Sequence, residues 1–284
     1  MTTRRNFVKK AGAGLLAVGA APMLFNNELL AGTTAAPSKE DLFKVSMAGY
    51  SFARFKLDES LKMMKRMDVR YLCIKDFHLP FNSTDEQIKA FHAQLAESNV
   101  TGYGVGPIYM TNKESEVDKA FEYAKRVGVK LIVGIPSYEL LPYVDKKVKE
   151  YDFNYAIHIH GPDNKLFPNA KNVYDHVKDL DPRIGICLDI GHDARDGYDP
   201  VEDLKKYSKR VFDIHIKDVT AASKEGRTCE MGRGILDIPA FVRMLRKVKY
   251  AGACSLEFEK DMNDPLAGLA ESIGYFKGVM AATK

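Results

Sequence analysis

A closed (β/α)₈ barrel is the fold class this sequence predicts, and three observations predict it. Short runs rich in Val, Ile, Leu and aromatic residues recur eight times after residue 38, segments of helical period separate them, and polar residues gather at the carboxyl ends of the runs. Strands alternating with helices imply βαβ units and a parallel sheet, and eight such units in about 250 residues match a barrel closed on itself.

The first run, Phe43–Tyr50, is followed by Leu57, Leu61 and Met64 at three- and four-residue spacing. The second, Arg70–Lys75, precedes Ile88, Phe91 and Leu95, and the third, Thr101–Val105, precedes Val117, Phe121 and Ala124. The remaining runs are Lys130–Ile135, Asn154–His160, Arg183–Ile190, Arg210–Lys217 and Gly252–Glu259. Punctuation agrees with this division: Ser83 with Glu86 reads as a capping box, Gly128 closes the helix that begins near Ser115, and Pro239 sits in a first helical turn. A doubly wound open sheet is the alternative. It calls for a Gly-rich phosphate loop after the first strand, and Met47–Phe52 contains no G-x-G-x-x-G.

Residues 1–37 read as a signal peptide with a short linker, and residues 38–284 as the barrel. Arg4 and Arg5 precede an apolar Ala/Gly-rich stretch from Ala11 to Phe25, and small residues follow at Thr34-Ala35-Ala36, the order of an export signal of twin-arginine type. About fifteen apolar residues broken by Gly and Pro fall short of the roughly twenty that span a bilayer, so no stable membrane span is expected after processing. The expected location is the periplasm or beyond.

The 284 residues carry a formal charge of +4, with no long run of either sign, which gives no support to a nucleic-acid partner. Of the four cysteines, Cys73, Cys187 and Cys254 lie inside apolar runs, where free cysteine acts as a small hydrophobe. Neither a disulfide framework nor a cysteine metal site is expected, since paired spacing and C-x-x-C are both lacking.

Five of the seven histidines lie at or just after the ends of the runs. In a parallel barrel those ends converge on one mouth, where active sites are built. Residues two apart in a strand face the same way, so His158 and His160 share a face, as do His215 and Lys217, and Glu257 and Glu259. Ile157 and Ile159, Ile214 and Ile216, and Leu256 and Phe258 take the opposite face, against the helices. Asp189 shares parity with Cys187, and Gly191 is expected to let the chain turn so that His192 looks into the same cavity. The four strand-end residues His158, Asp189, His215 and Glu257 offer two imidazoles and two carboxylates. That set suits one divalent ion such as Zn²⁺, Mn²⁺, Co²⁺ or Mg²⁺.

The segments Gly185-Ile186-Cys187-Leu188-Asp189-Ile190-Gly191-His192, Asp213-Ile214-His215-Ile216-Lys217-Asp218 and Ser255-Leu256-Glu257-Phe258-Glu259 resemble the xylose isomerase-like TIM barrels, the sugar phosphate isomerase/epimerase family. The resemblance runs from about Lys44 to the end. It implies a divalent metal bound through a Glu on strand five, an Asp on strand six, a His on strand seven and a Glu on strand eight; the last three fall on Asp189, His215 and Glu257. Where many relatives read Glu-Asn-His-Gly, this chain has His158-Ile159-His160-Gly161. With no carboxylate on strand five, the two-base epimerisation of the family gives way to one-base chemistry, isomerisation or elimination beside a metal-polarised carbonyl. Glu257 is the first candidate base and Glu259 its alternate. Lys217 and His160 are candidates to protonate or hydrogen-bond the oxygen that gains charge. Lys75, His78 and His192, with Arg227 and Arg233 of the loop after strand seven, are candidates for substrate contact.

Two other readings use the same residues. An endonuclease IV-like nuclease needs three metals, with a His on strand three and an Asp-x-His after strand seven, and neither Gly104-Val105-Gly106 nor Asp218–Gly234 supplies them. An exported sugar-binding barrel without catalysis is the third. The expected partner in either of the favoured cases is a small carbohydrate, free or in a keto form, and self-association stays open.

Overall fold

The computed structural model describes residues 41–284. The expected signal lies outside the described residues. Eight parallel strands close a barrel: β1 (Lys44–Ala48), β2 (Tyr71–Ile74), β3 (Thr101–Met110), β4 (Leu131–Pro136), β5 (Asn154–His158), β6 (Ile184–Asp189), β7 (Val211–Ile216) and β8 (Ala253–Leu256), with β1 bonded to both β2 and β8. The helices around it are α1 (Leu57–Arg66), α2 (Asp85–Glu97), α3 (Glu114–Val127), α4 (Leu141–Tyr151), α5 (Ala170–Val177), α6 (Ile190–Arg195), α7 (Pro200–Tyr207), α8 (Ile238–Lys247) and α9 (Leu266–Ala282). Among the described residues no helix is long and apolar enough to cross a membrane.

Strand alternation divides the core in two. Ile157, Ile214, Ile216 and Leu256 are fully buried in the layer between strands and helices, with Ile159 and Phe258 just beyond β5 and β8 beside them. Cys73, Val133, Ala156 and Cys187 form a separate cluster inside the barrel. Cys73, Ala156 and Cys187 sit two positions before the polar residues Lys75, His158 and Asp189, so the small side chains of the inner layer form the floor on which the site rests. All four cysteines are free and buried.

Local chemistry explains the boundaries. Gly128 ends α3 in the left-handed region, at φ 79°, where a side chain would be strained. Asp237 caps α8, accepting from Ala240 N at 2.8 Å, with Pro239 in the first turn. The capping box of α2 stands one residue later than expected: Thr84 Oγ1 accepts from Gln87 N and Thr84 N donates to Gln87 Oε1 at 2.8 Å, because the turn through Ser83 delays the first helical residue to Asp85. β3 runs five residues past Val105 to Met110, which carries Tyr109 up to the mouth. The stretch expected to be a mouth loop after β7 holds a short antiparallel ribbon, Asp218–Val219 with Thr228–Cys229.

Candidate metal centre

Four consecutive strands bring residues at or just past their carboxyl ends to one point. His158 ends β5 and is paired with Cys187; Asp189 ends β6 and is paired with His215 of β7; Glu257 follows β8, held by its N–H bond to the Ile216 carbonyl at 3.1 Å. Asp189 also caps α6: its Oδ1 accepts from His192 N at 2.8 Å, which leaves Oδ2 free to face the cluster.

His158 Nε2 lies 2.9 Å from His215 Nδ1 and 3.7 Å from both Asp189 Oδ2 and Glu257 Oε2. His215 Nδ1 lies 3.3 Å from Glu257 Oε2 and 4.0 Å from Asp189 Oδ2. These separations bracket the edge of about 3.4 Å expected between ligands of a tetrahedral ion with bonds near 2.1 Å. Asp189 Oδ2 is buried without a hydrogen bond, since Lys217 Nζ approaches to 3.0 Å without the alignment of one. The Lys217 ammonium faces this buried oxygen, which also belongs to a set of four ligand atoms, from His158, Asp189, His215 and Glu257, all within 4.8 Å of one another. The residues present therefore fit a divalent ion, and the neutral nitrogens with the carboxylates set the preference for a borderline or hard one.

Burial and neighbouring charge treat the two imidazoles differently. Burial pushes His158 down to about 3, which keeps it neutral and able to ligate. Burial also acts downward on His215, but the charges of Glu257, Asp213 and Asp189 outweigh it and lift that imidazole to about 9. Burial acts upward on Glu257, yet Lys217 and His215 hold its carboxyl well below the usual range. At neutral pH a cation must displace a proton from His215.

Above the cluster opens a cavity of about 200 Å³ lined by Tyr50, Lys75, Pro107, Tyr109, His158, His160, His192, Glu257 and Glu259. Lys217 is buried against three of these lining residues: its Nζ is 2.9 Å from Glu257 Oε2, 2.8 Å from Glu259 Oε2 and 3.5 Å from His192 Nε2. His160 stands past the end of β5 and bonds Tyr109 OH through Nε2 at 2.9 Å. Lys75 Nζ reaches the Pro107 carbonyl at 2.7 Å and Asp76 at 2.9 Å. Gly191 lies within α6 and serves a purpose other than the expected turn. A Cβ there would meet Lys217 Cγ at 2.4 Å, so its bareness lets the lysine stem pass.

Three candidates lie elsewhere. His78 bonds the Phe55 carbonyl at 3.0 Å and Ser60 Oγ at 3.3 Å, away from this cavity. Arg233 pairs with Glu271 on α9, and neither Arg233 nor Arg227 lines the cavity.

The family model described as xylose isomerase-like TIM barrel matches residues 61–279. This chain belongs to that family. Solved structures similar to it in fold include IolI, solved with a bound zinc atom, at 18% identity and a TM-score of 0.64 over 85% of this chain and 98% of that one. D-psicose 3-epimerase from Clostridium cellulolyticum H10, solved with D-tagatose, shows 15% identity and a TM-score of 0.66 over 84% and 99%. The rhizopine catabolism protein MocC of Rhizobium meliloti is 33% identical over 28% of this chain and 30% of its own, so this chain spans under a third of that relative.

Sequence reasoning passed over the polar layer beneath the metal ligands. Ser46 and Ser255 bond at 2.7 Å, Tyr103 OH bonds Ser255 Oγ, and the same hydroxyl lies 3.1 and 3.2 Å from the oxygens of Asp213. The alternation Asp213, His215, Lys217 carries Asp213 onto the inner face and could have found it.

Proposed function

We propose that this barrel is a divalent-metal-dependent enzyme that removes a proton beside the carbonyl of a small neutral polyol, a free sugar or its keto form. The observation that supports this most is the set of four buried donors under a polar cavity, with the Glu257 carboxylate kept charged at its floor. A divalent ion held by His158, Asp189, His215 and Glu257 would polarise the carbonyl and acidify the neighbouring C–H.

The chain's own residues supply the rest. Glu257, or Glu259 beside it, takes the proton from carbon, and the electron pair moves onto the carbonyl oxygen. The Lys217 ammonium, 2.9 and 2.8 Å from those carboxylates, is placed to hydrogen-bond the oxygen that gains charge. Return of the proton to the former carbonyl carbon, with the hydroxyl proton passing from the neighbouring oxygen to the former carbonyl oxygen, completes an isomerisation. Expulsion of the neighbouring hydroxyl, with a proton supplied from Lys217 or His160, completes a dehydration. The fifth-strand position offers an imidazole where a second carboxylate base would stand, which favours these one-base outcomes.

Charge around the cavity favours a neutral substrate. Lys75 is paired with Asp76, Lys217 is engaged by carboxylates, and Arg227 and Arg233 do not line the cavity, so a phosphate would meet no unpaired cation among the lining residues. We place this activity outside the cytoplasm on the strength of the Arg4-Arg5 segment, which cell fractionation tests directly.

Incubation of metal-loaded protein with 3-keto-glycosides, free ketoses and inososes in D₂O tests the reaction. Deuterium beside the carbonyl, or loss of water from the product, is expected and is abolished by Glu257→Gln. No exchange and no product with any of them would leave a sugar-binding barrel as the better reading.

A further inference from the structure

The two imidazoles of the centre are backed by different groups. His158 presents Nε2 to the cluster, and behind it Nδ1 faces His160 Nδ1 at 3.5 Å, another imidazole. His215 presents Nδ1 to the cluster, and its Nε2 faces Asp213 Oδ2 at 3.6 Å. That Nε2 is buried and has no hydrogen bond, and Asp213 is fully buried. A movement of about half an ångström closes this gap to an ordinary N–H···O bond.

Asp213 is itself held from several sides. Tyr103 OH donates toward both carboxylate oxygens from across the barrel, Cys187 Sγ stands 3.8 Å from Oδ2, and Tyr103 is tied through Ser255 to Ser46 on the neighbouring strand β1. Four strands thus brace one carboxylate beneath one imidazole: β7 carries it, β3 supplies the tyrosine, and β8 and β1 hold the tyrosine in place. A hydroxyl chain crossing the inside of a barrel is a costly element in an otherwise apolar layer, and the carboxylate at its end faces His215 Nε2 as well as Cys187 Sγ.

We propose that Asp213 is the positioning residue of the metal centre: it keeps the Nε2–H of His215 as a donor to its own carboxylate and so turns Nδ1, with its lone pair, toward the ion. The proposal rests on the metal reading above. An imidazole whose outer N–H is held by a carboxylate is a better-oriented and more basic ligand, and loss of such a partner typically weakens metal binding 10- to 100-fold. His158 has no such support. Loss of Asp213 should therefore weaken the hold of His215 on the ion.

The test is titration of Co²⁺ into metal-free wild type and Asp213→Asn, reading both affinity and the visible absorption of the bound ion. Wild type is expected to bind one ion; Asp213→Asn is expected to bind it about 10- to 100-fold more weakly with a shifted spectrum. Equal affinity and an unchanged spectrum overturn the proposal while leaving the metal reading intact, whereas absence of binding by wild type overturns both. If Asp213→Asn does not fold, long-range ¹H–¹⁵N spectra of the Zn²⁺-loaded wild type decide: a protonated His215 Nε2 is expected, and a protonated Nδ1 overturns the proposal.

Discussion

Lys217 Nζ lies 2.9 Å from Glu257 Oε2, with both side chains buried at the base of the cavity. Burial penalises each charge, and each relieves the other. The lysine is held well above its ordinary range by Asp189, Glu257 and Glu259 despite burial, and Glu257 well below its own. The ammonium also stands among His192, Glu257 and Glu259, a second trio close enough to grip a cation. Lys217 supplies the positive charge there itself, so the geometry favours one ion per chain.

Replacing Lys217 with Met leaves Glu257 and Asp189 buried with less compensation. Breaking a buried pair from one side costs about 3–5 kcal/mol. Urea unfolding of the metal-free variant should show a loss of that size, and saturating Zn²⁺ should stabilise the variant more than the wild type. A loss under about 1 kcal/mol would show that the lysine charge is not needed there.

Gly191→Ala places a methyl group 2.4 Å from Lys217 Cγ and 2.7 Å from Cδ. Overpacking of this kind costs about 1–3 kcal/mol, and the lysine stem must shift to relieve it. Turnover should fall at least tenfold while metal affinity stays within a few-fold of wild type. Unchanged turnover would show that the ammonium position is not critical.

Asp193 of α6 and Asp203 of α7 are buried carboxyls that bond each other only when one holds a proton, and each has an oxygen otherwise unpartnered. Burial raises both above the ordinary aspartate range, Asp193 further through the Asp203 charge. Asp196 and Asp189 also face Asp193, while Lys206 and Asp199 face Asp203. For a carboxyl whose folded pKa is raised, the favourable contribution is present below the unfolded value near 3.9 and is lost as pH rises through the folded value. Asp203→Asn supplies a permanent donor and should raise stability at pH 7 by about 1 kcal/mol. The gain should shrink as pH falls toward 4. A pH-independent difference between variant and wild type in thermal melts would contradict the shared proton.

Much of the site was legible because strand alternation is strict. His158, His215 and Glu257 point inward for the same reason that Ile157, Ile214 and Leu256 point outward, and eight runs sufficed to suggest closure. What escaped depends on contacts between distant segments. Arg233 turns away because Glu271, 38 positions later, receives it, and His78 turns away because Ser60 and the Phe55 carbonyl hold its ring. Tyr109 reaches the mouth only because β3 extends past its expected end. Tyr103 meets Asp213 across the barrel, 110 positions apart, and nothing in its local pattern announces that partner.

The most direct test is the metal content of purified protein after exhaustive dialysis against Zn²⁺ or Mn²⁺, measured for wild type and for His158→Ala, Asp189→Asn, His215→Ala and Glu257→Gln. One ion per chain in wild type, with a much reduced content in all four variants, is the predicted result. A wild type without bound metal, or variants that retain a full equivalent, would contradict the assignment of these four residues as one metal centre.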